Sequence, residues 1–173
     1  MAKRTYLRDG RAPVPTDERT SAHMSRIRAS NTAPERAMRA LLSAAGVRGY
    51  RLNHARTPGR PDITFVARKV AVFVHGCFWH GCPLCVPRTP KSNSAWWKKK
   101  IGANRERDRR KSALLRRLGW RVVTVRECKL RAAPEAQRDR VIRALDPSSR
   151  TSAGRSVART PRRSGTARTP RRR

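Results

Sequence analysis

The densest chemistry in the sequence is the run His75-Gly76-Cys77-Phe78-Trp79-His80-Gly81-Cys82-Pro83-Leu84-Cys85. Three cysteines follow one another as C-x4-C-x2-C, and the fourth and last, Cys128, is expected at the end of a strand that begins at Trp120. A C-x2-C step lets two thiolates grip one ion from a tight turn, and four thiolates close a tetrahedral Zn²⁺ shell with no open position for water. Such a metal is structural, tying a loop poor in apolar residues to a distant part of the chain. His80 or His75 is also able to replace one thiolate. The competing readings are four unrelated buried thiols, or a redox pair at Cys82 and Cys85.

Acidic residues are scarce, 11 Asp+Glu against 43 Lys+Arg, and that makes each one readable. Cleaving a phosphodiester with a bound metal needs a carboxylate to hold the ion and a proton acceptor beside the attacking water. Asp62 follows the rigid turn Pro58-Gly59-Arg60-Pro61 and starts a strand, so its side chain is fixed in space. Glu35 stands in the first turn of a helix, where it also suits the helix dipole. Asp108, within Arg105-Glu106-Arg107-Asp108-Arg109-Arg110, reads by spacing alone as a surface partner of neighbouring arginines. Aromatic residues interleave with the positive charge: Phe78 and Trp79 in the cysteine loop, then Trp96 and Trp97 ahead of Lys98, Lys99 and Lys100. Bulky rings of this kind wedge between base steps and unstack them, although rings on a helix also serve as ordinary core.

These residues need a frame. Asn31-Thr32 with Pro34 offers a helix start, and Ala37, Met38, Leu41, Leu42 and Ala45 continue at helical spacing to Gly46. A short strand is expected over Tyr50–Asn53, and Ile63–Ala67 and Val70–His75 read as a hairpin turning at Arg68-Lys69. The second of these is apolar almost throughout, as a strand covered on both faces is. A polar helix is expected from Ser94 to Leu118 with Gly119 as its stop. A strand from Trp120 to Val125 follows, and Pro134 opens a last helix through Leu145. The order α, β, β, β, α, β, α predicts an α/β fold with a mixed central sheet flanked by helices.

The chain has 173 residues and a formal net charge of +32. That is an electrostatic footprint for a polyanion and makes nucleic acid the first partner to consider. No run approaches the ~18 apolar residues of a membrane helix, and the basic N-terminus lacks the apolar stretch of a signal peptide. Clustered cysteines then fit a reducing, cytoplasmic setting with no membrane partner. Residues 146–173 repeat Ala-Arg-Thr-Pro-Arg-Arg and set nine arginines against Asp146, a net +8. This tail is expected to be disordered and to attract phosphate non-specifically. Residues 1–19 read as a flexible basic N-terminal arm, leaving 20–145 as the folded domain.

Pro58-Gly59-Arg60-Pro61-Asp62, the run His75–Cys82, Lys100–Arg110 and Leu118-Gly119-Trp120-Arg121-Val122 together strongly resemble the very short patch repair (Vsr) endonucleases, over about residues 20–145. The resemblance implies a restriction-endonuclease-like fold with a structural zinc site. It also implies a Mg²⁺-dependent nick in double-stranded DNA, 5′ to the thymine of a T:G mismatch left by deamination of 5-methylcytosine. It makes Asp62 the metal-binding aspartate, with the main-chain carbonyl of Val74 as a second Mg²⁺ ligand, and His80 the general base. His75 and Asp108 become supports of the phosphate and the catalytic network, and Glu35 an acidic helix residue near the metal. Phe78, Trp79 and Trp97 correspond to the aromatic wedge, Met24 to a residue inserted from the opposite groove, and Lys98 and Asn104 fall on the DNA-binding side. The zinc site departs from the family, whose members often carry histidine where Cys82 stands, so the set Cys77, Cys82, Cys85 and Cys128 is read from the cysteine spacing of this chain. Wider restriction-like nucleases place a lysine after the aspartate, where this chain reads Val74-His75-Gly76. The resemblance further implies a monomer acting on one strand near the bacterial nucleoid, with mismatch-repair proteins as further partners. The rival readings are a zinc-stabilised DNA-binding module without catalysis, and a restriction-like endonuclease without mismatch specificity.

Overall fold

A computed structural model of the chain describes residues 22, 26, 30–85 and 90–146. Met24, the arm 1–19 and the tail beyond Asp146 fall outside the described residues. The elements in chain order are α1 (Ala33–Ala44), β1 (Arg51–Leu52), β2 (Ile63–Phe65), β3 (Val70–His75), α2 (Ser94–Arg117), β4 (Arg121–Arg126), α3 (Glu127–Ala132) and α4 (Pro134–Leu145).

The four strands form one mixed sheet in the order β1-β2-β3-β4. β1 and β2 run antiparallel, as do β2 and β3. β4 runs parallel to β3, with Val70 opposite Arg121 and His75 opposite Arg126. A parallel neighbour needs a crossover, and α2 supplies it. Every residue of β3 is buried, as its unbroken apolar run demands. The alternation along β3 sorts its side chains between two layers. Val70, Val72 and Val74 join Met38, Leu42, Ile63, Val125, Leu130 and Val141 in the larger core, beneath α1, α3 and α4. Ala71 and Phe73 face the other way, against Leu115 of α2, with Trp120 and Val122 packed beside them. His75 continues this second face, which brings its imidazole under α2.

Helix ends follow the sequence closely. At α1 the Val47 N–H donates to Leu42 O at 2.9 Å and Gly46 N–H to Ser43 O at 3.0 Å. The same pair of bonds closes α2, from Trp120 to Leu115 O and from Gly119 to Arg116 O, the Schellman arrangement that satisfies terminal carbonyls. Three expectations need correction. β2 stops at Phe65, and the turn occupies 66–69, closed by Lys69 N–H on Val66 O at 3.1 Å. Val66 there is 44% exposed, so no packing holds it in the strand. β1 is only Arg51–Leu52, both exposed. Finally, Cys128 does not lie at a strand end: β4 passes directly into the short helix α3, in which Cys128 is the second residue. Among the described residues no helix is long and apolar enough to cross a membrane.

Candidate active site and cysteine centre

One cleft of about 1090 Å³ opens where the end of β3, the start of β2 and the N-terminus of α1 meet the middle of α2. Glu35, Asp62, Val74, His75, Trp79, His80, Asn104 and Asp108 all line it.

Asp62 is delivered by the turn that precedes β2. Its Oδ2 accepts the Val74 N–H at 2.7 Å, so the carboxyl lies across the end of β3. Burial pushes the Asp62 pKa up to about 6; the Val74 hydrogen bond opposes this and the charge of Glu35 adds to it. Glu35 is itself 5% exposed. Its carboxylate accepts the Asn31 N–H at 2.9 Å and the Thr32 hydroxyl at 2.7 Å, a local bracket that orders the entry to α1.

His75 and His80 stack with ring centroids 3.9 Å apart and 5° between planes. His80 reaches this position because the turn after β3 folds back, with His80 N–H on Gly76 O at 3.2 Å. Asp108 comes from α2 and sets its Oδ2 2.6 Å from His80 Nδ1 and 4.0 Å from His75 Nε2. The surface role that spacing suggests for Asp108 falls instead to Glu106, which pairs with Arg109 and Arg110. Burial, and then the charge of His80, hold the His75 pKa down at about 4, so it stays neutral at physiological pH. Burial alone pushes the Asp108 carboxyl up, but the His80 hydrogen bond and charge outweigh it and leave Asp108 below its ordinary value. With Asp108 ionised and bound to Nδ1–H, the free lone pair of His80 is on Nε2. That is the arrangement of a base oriented by a carboxylate.

The aromatic residues gather beside the cleft. Phe78 meets Trp79 at 5.2 Å and Trp97 at 5.1 Å, and Trp79 meets Trp97 at 5.7 Å. Trp97 is 6% exposed and forms the floor of this cluster, while Phe78 and Trp79 are half-buried above it. Asn104 does not point outward: its side-chain amide donates to Trp79 O at 2.9 Å and pins the loop to α2. Gly81 lets the loop come this close. With φ of +52°, it has Ile101 Cγ2 2.6 Å from where a Cβ would stand. Lys98 is exposed on the first turns of α2.

On the far side of the loop Cys77, Cys82, Cys85 and Cys128 bring their sulfurs within 4.8 Å of one another. Cys82 and Cys128 sulfurs are 3.6 Å apart, and Cys128 N–H donates to Cys77 Sγ at 3.3 Å. The histidines belong with Asp108, not with the thiols. Four soft donors in this spacing fit a tetrahedral d¹⁰ ion. Two further residues of the cleft escape a reading by motif. Glu127 opens α3 and its Oε2 accepts the Cys77 N–H at 3.0 Å, joining the thiol centre to the turn after His75. Lys111 lines the cleft from α2; its i+3 spacing from Asp108 was the available signal.

A family model described as "DNA mismatch endonuclease Vsr" matches residues 12–84. The chain is 47% identical over 133 residues to the type II nicking enzyme V.XorIIP of Xanthomonas oryzae pv. oryzae, covering 76% of this chain and 95% of that protein. It is 40% identical over 111 residues to the DNA mismatch endonuclease Vsr of Escherichia coli strain K12, covering 64% and 70%. With the type II nicking enzyme V.NaeI of Lentzea aerocolonigenes the identity is 43% over 123 residues, covering 68% and 73%.

Proposed function

The chain belongs to the Vsr family of DNA mismatch endonucleases, and on that premise we propose that it nicks double-stranded DNA 5′ to the thymine of a T:G mismatch to start very short patch repair. The observation that carries this reading is the convergence of Asp62, His75, His80 and Asp108 on one cleft, with Nδ1 of the base tied to a carboxylate at 2.6 Å. The fold is read as restriction-endonuclease-like, with a mixed sheet presenting its acidic residue at a strand start.

Asp62 and the Val74 carbonyl would hold Mg²⁺, with Glu35 close by; the ion supplies Lewis-acid stabilisation of charge on the phosphate. His80 takes the proton of the attacking water at Nε2 as the new oxygen–phosphorus bond forms and one ester bond breaks. Asp108 fixes the tautomer and offsets the imidazolium that results. Neutral His75, stacked on His80, keeps the base in plane and offers a nitrogen toward the phosphate. The four cysteines would hold Zn²⁺ as a structural clamp between the loop and α3.

Specificity in this reading comes from deformation. Phe78 and Trp79, supported by Trp97, enter the stack beside the mismatch, and Met24 from the opposite groove complements them. A wobble pair unstacks at lower cost than a Watson–Crick pair, so the wedge favours T:G. Lys98 and the basic surface of α2 follow the phosphates. The protein acts as a monomer on one strand in the bacterial nucleoid, ahead of other repair proteins. Asp62→Ala should bind a T:G duplex within about threefold of wild type yet lose at least ~10³-fold in nicking. Full nicking by that variant would remove Asp62 from the metal site.

A further inference from the structure

Five cationic side chains line the cleft: Arg26, Arg36, Arg60, Arg107 and Lys111. Arg36 is spent on Asn31 O, and Arg107 on Asn104 Oδ1. Arg26 and Arg60 are exposed, and Lys111 differs from all four. It stands one turn beyond Asp108 on the same face of α2 and is half-buried. Among the described residues no hydrogen bond or ion pair engages its ammonium, although Asp62, His75 and Asp108 all feel its charge. Its ammonium is therefore available to a group that arrives with the substrate.

We propose that Lys111 is the cation that grips the scissile phosphate, donating to a non-bridging oxygen and offsetting the negative charge that grows there as water adds to phosphorus. The inference rests on the endonuclease reading above. No proton leaves Lys111 in the step; water gives its proton to His80. The Pro-Gly-Arg-Pro turn is shaped around this side chain. A Cβ at Gly59 would stand 3.0 Å from Lys111 Cγ, 3.1 Å from its Cβ and 3.3 Å from its Cδ. Gly59 also has φ of +77°, so a side chain there would meet both a strained backbone and the lysine stem. The methylenes are thus braced against the turn that delivers Asp62, and the head is left to the cleft. A lysine reaching the cleft from α2 supplies what β3 does not, since the strand ends in Val74-His75.

The test is Lys111→Met in the full chain, which keeps the stem against Gly59 and removes the charge. Single-turnover nicking of a T:G duplex with Mg²⁺ should fall about 10²-fold. Duplex affinity should fall only a few-fold, equally for T:G and matched DNA, and the slope of log affinity against log salt should lessen by about 0.9, the signature of one lost phosphate contact. Lys111→Arg should recover at least tenfold of the lost rate. A Lys111→Met rate within threefold of wild type, or an unchanged salt slope, would overturn the inference while leaving the endonuclease reading intact. A wild-type chain that nicks no duplex would overturn that reading and this inference with it.

Discussion

At the scale of single residues, the cleft separates groups that burial has pushed in opposite directions. Asp62 carries a pKa of about 6, mainly through burial. A folded-state value above the ordinary 3.8 means that ionising Asp62 costs more in the fold than in the unfolded chain. The cost is absent below the unfolded value, grows through the window up to about 6, and is fully present at neutral pH. Asp62→Asn should therefore stabilise the metal-free protein at pH 7.5 by on the order of 1–3 kcal/mol, read as a higher melting temperature, while abolishing nicking. A lower melting temperature would contradict the burial account. By the same sign, Mg²⁺ affinity should weaken about tenfold per pH unit below about 6, as a proton competes for the carboxylate; calorimetric titration at pH 5 and 7 would read this. Asp108→Asn leaves a hydrogen bond to His80 without the charge that offsets the imidazolium, and single-turnover nicking should fall about 10²–10⁴-fold. Asp62 was legible because a rigid proline turn and a strand start advertise it. Asp108 was not legible from spacing, since the two acids Glu106 and Asp108 both stand among arginines at helical intervals and look alike; only the fold shows that Glu106 takes the arginines and Asp108 turns inward.

At the scale of elements, most of the frame could be read because strong local signals agreed with packing. The unbroken apolar run of β3 predicted a doubly covered strand, and the glycines after α1 and α2 closed them with paired hydrogen bonds. What escaped was α3. Six residues give too little periodicity to announce a helix, and β4 enters it without a loop. Its position depends on the tertiary contacts of Cys128 and Glu127 with the cysteine loop, which no local pattern records. The thiol centre and Glu127 therefore hold the loop by two independent ties. Cys128→Ser should lower stability by at least about 2 kcal/mol, roughly 5–10 °C in melting temperature, and should lower bound zinc measured by metal analysis to below half of the wild-type content. Unchanged zinc and melting temperature would remove Cys128 from the centre. Asn104→Ala frees the Trp79 carbonyl from α2, and should lower preference for T:G over matched DNA by several-fold while leaving non-specific affinity alone, as fluorescence anisotropy with both duplexes would show.

At the scale of the whole molecule, +32 on 173 residues pointed to a polyanion and nothing finer. The topology adds the finer part. A parallel β3–β4 pair obliges α2 to cross the sheet, and the crossing carries Asp108 and Lys111 over His75 while its outer face stays basic. One helix thus provides both cleft-lining groups and a positive surface. If the tail contributes charge alone, removing residues 146–173 should weaken binding to any duplex and reduce its salt dependence, with T:G preference unchanged. The most direct test of the account is to measure single-turnover nicking by the full chain on one duplex sequence with either a T:G or a matched pair, with Mg²⁺ and with EDTA. The account predicts one cut, 5′ to the mismatched thymine, at least ~10²-fold faster than on matched DNA and absent in EDTA. Equal cutting of both duplexes, or cutting that persists in EDTA, would contradict it.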